Sequence, residues 1–360
     1  MLSVNQMWDP LEVCIVGKMY DPGYFKIVPN VKIRNVLEKI AIECEEDFQK
    51  LIRLLEDFNV EVIRPNAVTD KHFIPPPVTP RDHTAMIGNR FFIDPRLEMD
   101  FYQPIVDYVT AKNGMVHWKK NINTATIRPL GRDLLCGQVD LAENNIWTTI
   151  RKDNWPRLAP KEIPTNLNTM MIKNYKADIE ETFEGYRCHY YEDDSHLDGR
   201  IFIGAPGLLI TNKEIDHGDR FKDWDILYFN RTIKDEISNS RFYKMVQKKN
   251  RGRWWVPGEE SNNDFADFVD CYLSNWVGFI EESQFDLNIL MIDESNAVCT
   301  NSNDEICKKL DSYGIKLHVV NFRHSLFFDG GIHCITSDIK RRGELIDLTL
   351  LGKGITLKHS

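Results

Sequence analysis

The sequence lacks the features that mark membrane and nucleic-acid-binding proteins. Its longest apolar runs, such as 207–210 and 289–292, are far shorter than the roughly 18 to 20 residues that cross a bilayer, so we predict no membrane contact. It has no dense run of Lys or Arg, and 54 acidic residues outnumber 45 basic ones. Nucleic acid is therefore a poor candidate partner. Residues 1–8 carry no targeting pattern, and we expect a cytoplasmic protein.

The cysteines lack the spacing of a zinc site or a disulfide framework. Eight are scattered over 360 residues without a C-x-x-C pair, so most are expected to be buried reduced thiols. We predict no metal site. Neither a shift in composition nor a Pro/Gly/Ser-rich linker divides the chain. Residues 1–360 are therefore predicted to form one domain, with an inserted loop region at about 218–274.

One local pattern recurs along the chain: two short apolar runs flank a turn, and a helix and another strand follow. It predicts β-hairpins at 84–93, 138–150, 201–210 and 289–299, and helices at 32–58, 99–110 and 304–312. The fold class is α/β, built from ββαβ units. Because one such unit buries its sheet poorly, stacked or radial repetition would close the core and bring inner strand ends to one central site.

The strongest chemical signal is the small-residue turn Gly330-Gly331-Ile332-His333-Cys334. Only a few per cent of an ordinary thiol is ionised at neutral pH, so a nucleophilic Cys334 needs a positive charge beside it. A bound guanidinium would supply that charge. Taken alone, the residue could also be an inert buried thiol.

Two further segments carry groups suited to acid–base chemistry. His196 and Asp198 are two residues apart and, on an extended segment, would face the same side. They would bring an imidazole and a carboxylate into one pocket. Asp82 ends the segment 79–82, just before a predicted hairpin. A metal site is the alternative for His196, but no further His or Cys lies at a metal spacing.

Together these segments resemble the glycine amidinotransferase family, within the superfamily of enzymes that modify guanidino groups and that includes arginine deiminases. The resemblance runs nearly end to end, and its last motif is typical of amidinotransferases rather than deiminases. The matching segments are 8–17, Pro80-Arg81-Asp82, 87–89, 127–134, His196-Leu197-Asp198, Pro206-Gly207, 290–294, Gly330-Gly331, His333-Cys334 and 338–343.

The resemblance implies a fold and a set of roles. The fold is a five-bladed pseudosymmetric ββαβ propeller. Cys334 matches the nucleophile, His196 the general acid/base, and Asp82 and Asp198 the carboxylates that bind the guanidinium. Paired, charge-assisted hydrogen bonds from two carboxylates would hold a planar guanidinium and present its carbon to the thiolate.

Three places depart from the family. Asn123 occupies the position of the Asp that orients the histidine and is predicted to take that catalytic role, with Asp133 or Asp140 as alternative partners. Ile215 occupies the position of the family's Arg that holds a substrate carboxylate, so either Lys213 or Arg220 replaces that Arg or the acceptor is different. Glu281-Glu282-Ser283 stands where the family has paired Ser, and Ser283 is the residue predicted to bind substrate there.

The resemblance implies a cofactor-free, ping-pong transfer of the amidino group of L-arginine to an amine acceptor. Glycine is the implied acceptor, with ornithine and guanidinoacetate as products, and the family allows a homodimer. Two alternatives stay open: a hydrolase of the same superfamily that uses water as acceptor, and a catalytically silent propeller that binds arginine.

Overall fold

The computed structural model describes residues 1–69, 76–95, 99–119, 122–138, 175–192, 196–212, 221, 223–228, 256, 258–259, 261–268, 287–328 and 330–348. In chain order, the strands are β1 (Leu11–Val16), β2 (Glu61–Ile63), β3 (Thr84–Ile87), β4 (Arg90–Ile93), β5 (Met115–Trp118), β6 (Ile127–Leu130), β7 (Asp133–Gln138), β8 (Arg187–Glu192), β9 (Ile201–Ala205), β10 (Leu208–Thr211), β11 (Asp225–Tyr228), β12 (Leu290–Asp293), β13 (Asn296–Cys299), β14 (Lys316–Val319) and β15 (Thr336–Arg341). The helices are α1 (Val31–Asp57), α2 (Met99–Ala111), α3 (Tyr175–Thr182), α4 (Asn263–Phe268), α5 (Asp304–Asp311) and α6 (Ser325–Phe328).

Within the described residues, the strands form five three-stranded sheets of one topology. Their strand orders are β15-β1-β2, β3-β4-β5, β6-β7-β8, β9-β10-β11 and β12-β13-β14. In each sheet the first two strands are antiparallel and the third runs parallel to the middle one. The predicted α/β class is confirmed, and so is the ββαβ unit in the four sheets where a helix is described between the second and third strands. Most residues between β10 and β11 lie outside the described residues.

The two ends of the described chain share a sheet. β1 is the middle strand, with Leu11 opposite Arg341 and Val16 opposite Thr336 of β15, while β2 pairs with its other edge. Arg341, the last residue of β15, also donates a hydrogen bond from its side chain to the carbonyl of Asp9, before β1 (2.5 Å). The N-terminal and C-terminal motifs of the family resemblance therefore pack against each other.

The long helix α1 begins and ends at residues suited to those positions. The side chain of Asn30 accepts hydrogen bonds from the backbone N–H groups of Lys32 and Ile33, which caps the first turn. After the helix, Asn59 takes a positive φ of 60° and turns the chain towards β2. One face of α1 is buried, and its residues recur every three or four positions: Ile33, Leu37, Ile40, Cys44, Phe48, Leu51 and Leu55.

The structure confirms three of the four predicted hairpins, at 84–93, 201–210 and 289–299. The fourth, at 138–150, is not tested, because only its first residue is described. A hairpin that was not predicted is made in that sheet by Ile127–Leu130 and Asp133–Gln138, where Gly131 takes a positive φ of 65° and lets the chain reverse. Residues 139–150 lie outside the described residues.

The predicted insertion at 218–274 is partly wrong. Its apolar run contains Asp225–Tyr228, which pairs in parallel with Leu208–Thr211 and completes a regular sheet. Asn263–Phe268 is a helix. Most of the remaining predicted insertion lies outside the described residues.

The turns that precede the first strands of the sheets are linked to one another. The N–H of Arg81, before β3, donates to the carbonyl of Cys334, before β15 (3.4 Å). The N–H of Leu197, before β9, donates to the carbonyl of Ala125, before β6 (2.8 Å). These contacts bring residues that are distant in sequence into one region.

Among the residues that the structure describes, no helix combines the length and the apolar character that a bilayer crossing needs.

Gly17, at the end of β1, provides a test of the packing next to this region. A Cβ on Gly17 would overlap the backbone carbonyl of Val78, whereas nothing lies within 4 Å of a Cβ on Gly23. We therefore expect Gly17→Ala to lower the free energy of unfolding by about 1–3 kcal/mol, the usual cost of overpacking. Gly23→Ala is the matched control and should change it little. Urea unfolding of both variants measures this, and equal stabilities would contradict the packing.

Candidate active site

The turn that carries Cys334 is held in place by Arg81, whose side chain is fully buried. Its Nε donates to the carbonyl of His333 (2.5 Å) and to that of Thr336 (2.8 Å). Its Nη2 forms an ion pair with Asp338 (2.8 Å). Because the guanidinium satisfies carbonyls on both sides of Cys334, it fixes the backbone that positions the sulfur.

The sulfur of Cys334 has two polar neighbours. The thiol donates to Oδ2 of Asp198 (3.1 Å), and Nδ2 of Asn288 donates to Sγ (2.9 Å). Cys334 is half-buried. The thiol is thus held by a carboxylate on one side and an amide on the other.

A buried chain of hydrogen bonds fixes Asp198. Nη2 of Arg128 lies 3.2 Å from Nε2 of His333, and Nδ1 of His333 lies 3.0 Å from Oδ2 of Asp198. Since a guanidinium can only donate, Nε2 accepts and the imidazole proton resides on Nδ1, where it donates to Asp198. His333 and Asp198 are each only 1% exposed, so this arrangement is shielded from water.

Asp82 and His196 form the more open side of the site. Oδ1 of Asp82 lies 3.5 Å from Nδ1 of His196, and both side chains are half-buried. One oxygen of Asp82 and one of Asp198 lack a hydrogen bond. Both atoms, Oδ1 of Asp82 and Oδ1 of Asp198, are buried and have no hydrogen-bond partner among the described residues.

Burial and charge set the protonation of these groups in the unliganded site. Burial, followed by the negative charges of Asp198 and Asp82, raises the pKa of the Cys334 thiol well above its usual range. Burial likewise raises the pKa of Asp82 to about 6. Although burial alone would raise the pKa of Asp198, the hydrogen bond from His333 holds it well below its usual range. Burial, with Arg81 and Arg128 nearby, lowers the pKa of His333 to about 3.

Four predicted site residues are brought together: Cys334, Asp198, Asp82 and His196. The backbone that carries two of them differs from the prediction, because His196 precedes a short 3-10 helix, Leu197–Gly199, rather than continuing an extended segment. The N–H of Leu197 donates to the carbonyl of Ala125 in a neighbouring turn, and the 3-10 helix begins at this residue. Both side chains still lie close enough to Asp82 for their charges to affect its pKa.

The role predicted for Asn123 does not match its contacts. Its Oδ1 accepts hydrogen bonds from the backbone N–H (2.9 Å) and the hydroxyl (3.0 Å) of Thr126, so both lone pairs of this oxygen are used locally. Asp82 is the carboxylate beside His196. The alternative Asp133 instead binds Arg187 and His189, while Asp140 lies outside the described residues.

Ser283, predicted to bind substrate, lies outside the described residues, as do Ile215, Glu281 and Glu282. Over the part of the chain that is described, no group of three or more His, Cys, Asp or Glu residues is arranged to hold a metal ion. The absence of a metal and a cofactor stays a prediction.

The sequence reasoning missed three contributors, Asn288, Arg128 and His333. His333 was seen only as the neighbour of Cys334, and Arg128 only as part of a matching segment. Asn288 had one available signal: it stands two residues before β12, as Asp82 stands two before β3 and Cys334 two before β15. The position two residues before the first strand of a sheet was therefore the signal that could have identified Asn288.

This arrangement is suited to a cation. A protonated thiol next to two carboxylates is a poor nucleophile, but a guanidinium between the bare oxygens of Asp82 and Asp198 would pair with both through its N–H groups. The same positive charge would favour the thiolate of Cys334. The site could therefore bind a guanidino group and attack its carbon.

No family model matches the sequence, but several known proteins are similar to it. Glycine amidinotransferase of Danio rerio is 41% identical over 59 residues, 16% of this chain and 14% of that protein. L-arginine:L-lysine amidinotransferase of Pseudomonas savastanoi pv. phaseolicola is 33% identical over 169 residues, 45% of this chain and 36% of that protein. Inosamine-phosphate amidinotransferase 1 of Streptomyces griseus is 21% identical, covering 95% and 97% of the two chains.

Solved structures show the same fold. The amidinotransferase SxtG of Microseira wollei superposes with a TM-score of 0.60 at 18% identity, covering 96% of this chain and 99% of that chain. A dimethylarginine dimethylaminohydrolase superposes with a TM-score of 0.51 at 12% identity, covering 91% and 100%. The sequence matches confirm the predicted resemblance to amidinotransferases, while the fold is shared with a hydrolase.

The reactivity of Cys334 tests the electrostatics of the unliganded site. Because burial and two carboxylates raise the pKa of its thiol, we expect slow alkylation by iodoacetamide near neutral pH. Asp198→Asn removes a negative charge at the sulfur and should accelerate alkylation, by about ten-fold for each unit that the pKa falls. Peptide mapping by mass spectrometry measures the rate at Cys334 itself.

The matched control is Asp21→Asn, which removes a carboxylate whose side chain is 65% exposed and should leave the rate at Cys334 unchanged. Alkylation that is equal or slower in Asp198→Asn than in the wild type would contradict the charge assignment.

Proposed function

We propose that this protein is an amidinotransferase that takes the amidino group of L-arginine and carries it on Cys334 to an amine acceptor. The single observation that carries the proposal is a pair of buried carboxylate oxygens, Oδ1 of Asp82 and Oδ1 of Asp198, that lack a hydrogen-bond partner among the described residues, in a site where Asp198 also accepts from the thiol of Cys334. A guanidinium would neutralise both carboxylates and could donate to both oxygens through its N–H groups. The similarity to amidinotransferases supports the same activity.

In the first half-reaction, the guanidinium binds between Asp82 and Asp198, and its charge favours the thiolate of Cys334. The proton that leaves the thiol is taken up by His196, whose imidazolium is stabilised by Asp82 at 3.5 Å. The thiolate forms a C–S bond to the guanidino carbon. The bond from that carbon to the ornithine nitrogen then breaks as His196 returns its proton to this nitrogen.

In the second half-reaction, the acceptor amine attacks the carbon of the amidino-cysteine and gives its proton to His196. The C–S bond breaks and the thiolate of Cys334 is restored. Asp198 stays ionised throughout, because His333 holds its pKa low. This mechanism needs no redox step.

We also propose that the five sheets are the blades of a propeller and that residues 1–360 form one domain around this site. The shared strand order and the linked turns before β3, β6, β9 and β15 support this arrangement, as does the similarity of fold to SxtG. A cytoplasmic location, a homodimer and a reaction without metal or cofactor stay predictions.

Glycine is the acceptor that the resemblance implies, and lysine or another diamine is the second candidate. The second is favoured by the sequence at two places, since Ile215 cannot pair with a carboxylate and Glu281-Glu282 would attract an additional amine. A relative that matches 45% of the chain is named as an arginine:lysine enzyme. Ser283 is the residue proposed to contact substrate at this place.

Incubation with arginine alone tests the first half-reaction. We expect one amidino adduct, which peptide mapping assigns to Cys334, and release of one ornithine per protein chain. Cys334→Ser should give neither. Citrulline in place of a stable adduct would support a hydrolase, and the absence of adduct, ornithine and citrulline would contradict the proposal.

A panel of amines tests the acceptor. Arginine is supplied with glycine, lysine, ornithine, a diamine or an amino sugar, and ornithine release is measured together with the mass of the guanidino product. Transfer to ornithine regenerates arginine, so for this acceptor isotopically labelled ornithine is used and the appearance of the label in arginine is measured. Glycine as the fastest acceptor would support the family assignment. If glycine is the slowest and lysine or a diamine is the fastest, the glycine assignment fails and the charge argument at Ile215 and Glu282 is supported.

A further inference from the structure

Asn288 contacts Cys334 at two points. Its Nδ2 donates to Sγ (2.9 Å), and its Oδ1 accepts from the backbone N–H of Cys334 (3.0 Å). The positions of N and Sγ of Cys334 relative to each other depend on the torsion angle χ1, the rotation about the Cα–Cβ bond. Because one planar amide binds both atoms, it fixes χ1 and hence the position of the sulfur.

The surroundings leave the Asn288 amide little freedom. Asn288 is only 4% exposed, so its polar atoms depend on protein partners. The amide also lies against Gly331, where a Cβ would approach Asn288 Cβ and Oδ1 to 2.6 Å. The absence of a side chain at Gly331 thus makes room for the amide of Asn288.

The charges near Cys334 make this donor important. The titratable and charged groups that act on the sulfur or on its direct neighbours are Arg81, Asp82, Arg128, His196, Asp198 and His333. The two carboxylates disfavour the thiolate, and the guanidinium of Arg128 is engaged with His333. The N–H of Asn288 is directed at the sulfur and favours the thiolate.

We propose that Asn288 is a catalytic residue, which aims the Cys334 sulfur and donates a hydrogen bond to its thiolate until the C–S bond forms. This inference rests on the proposed function for its role in turnover, but the thiol chemistry can be measured separately. Once the sulfur carries the amidino group it loses its negative charge, so the hydrogen bond weakens. Asn288 therefore contributes most to the thiolate that attacks arginine and to the one that is restored on transfer.

Two substitutions of Asn288 separate its two contacts. Asn288→Asp keeps an acceptor for the N–H of Cys334 but removes the donor to Sγ and adds a negative charge. Asn288→Ala removes both contacts. We expect alkylation of Cys334 at a fixed alkaline pH to slow by about ten-fold or more in Asn288→Asp, with its pH profile displaced upward, because a hydrogen bond to a charged group is lost. Asn288→Ala should slow it less, since no charge is added.

The matched control is Asn303→Asp, which adds the same charge at a helix cap where Oδ1 accepts from Glu305 and Ile306, an arrangement that Asp preserves. It should leave both alkylation and turnover unchanged. Gly331→Ala displaces the same amide from the other side and should slow alkylation as well. Thermal unfolding of every variant identifies any that fails to fold.

In turnover, we expect Asn288→Asp to lower kcat by about ten-fold or more, with a smaller change in the KM for arginine, because the residue touches the nucleophile and not the bare oxygens. If folded Asn288→Asp and Asn288→Ala are alkylated with the wild-type rate and pH profile, the inference is overturned, even in an active enzyme. If the wild type gives no adduct with arginine, the proposed function fails, while the alkylation series still decides the role of Asn288.

Discussion

The carboxylate of Asp198 is the group on which the rest of the site depends. Its Oδ2 accepts from both His333 and the thiol of Cys334, while its Oδ1 is left without a partner. One oxygen therefore holds the thiol of Cys334, the proposed nucleophile, and the other is available to a cation. Arg128, through His333, keeps the carboxylate ionised in a buried position, which would otherwise favour the neutral acid. In the proposed reaction, this one side chain would couple guanidinium binding to attack by the thiolate.

The sequence predicted the repeated unit and four of the residues in the site. Hairpins and α1 were recognisable because their periodic apolar residues and turn residues are local properties of the chain. Cys334, His196, Asp82 and Asp198 were recognisable because their residue types and order resemble a known family. The hairpin at 127–138, which was not predicted, shows the limit of local patterns: the segment 127–130 contains a proline and an arginine, yet it forms β6, with Arg128 buried against His333.

Long-range contacts account for what the sequence did not reveal. Asn288 lies 46 residues before Cys334 and has no motif of its own, so its role follows only once the turns before β12 and β15 are seen together. The same holds for Asn123, which was assigned a partner by analogy but uses its oxygen on Thr126. The Arg341–Asp9 contact likewise gives the motifs near the two ends of the chain a structural explanation. These motifs are therefore better evidence for the fold than for the choice between a transferase and a hydrolase.

The central claim is that a bound guanidinium converts the thiol of Cys334 to a thiolate. Ultraviolet absorbance of the thiolate measures this directly when methylguanidinium, which lacks the amino-acid part of arginine, is added. Calorimetry determines the concentrations at which methylguanidinium saturates the protein. The account predicts that absorbance rises in the wild type, rises less when Asp82→Asn weakens cation binding, and does not change in Cys334→Ser. Saturating methylguanidinium that leaves the wild-type thiolate absorbance unchanged would contradict it.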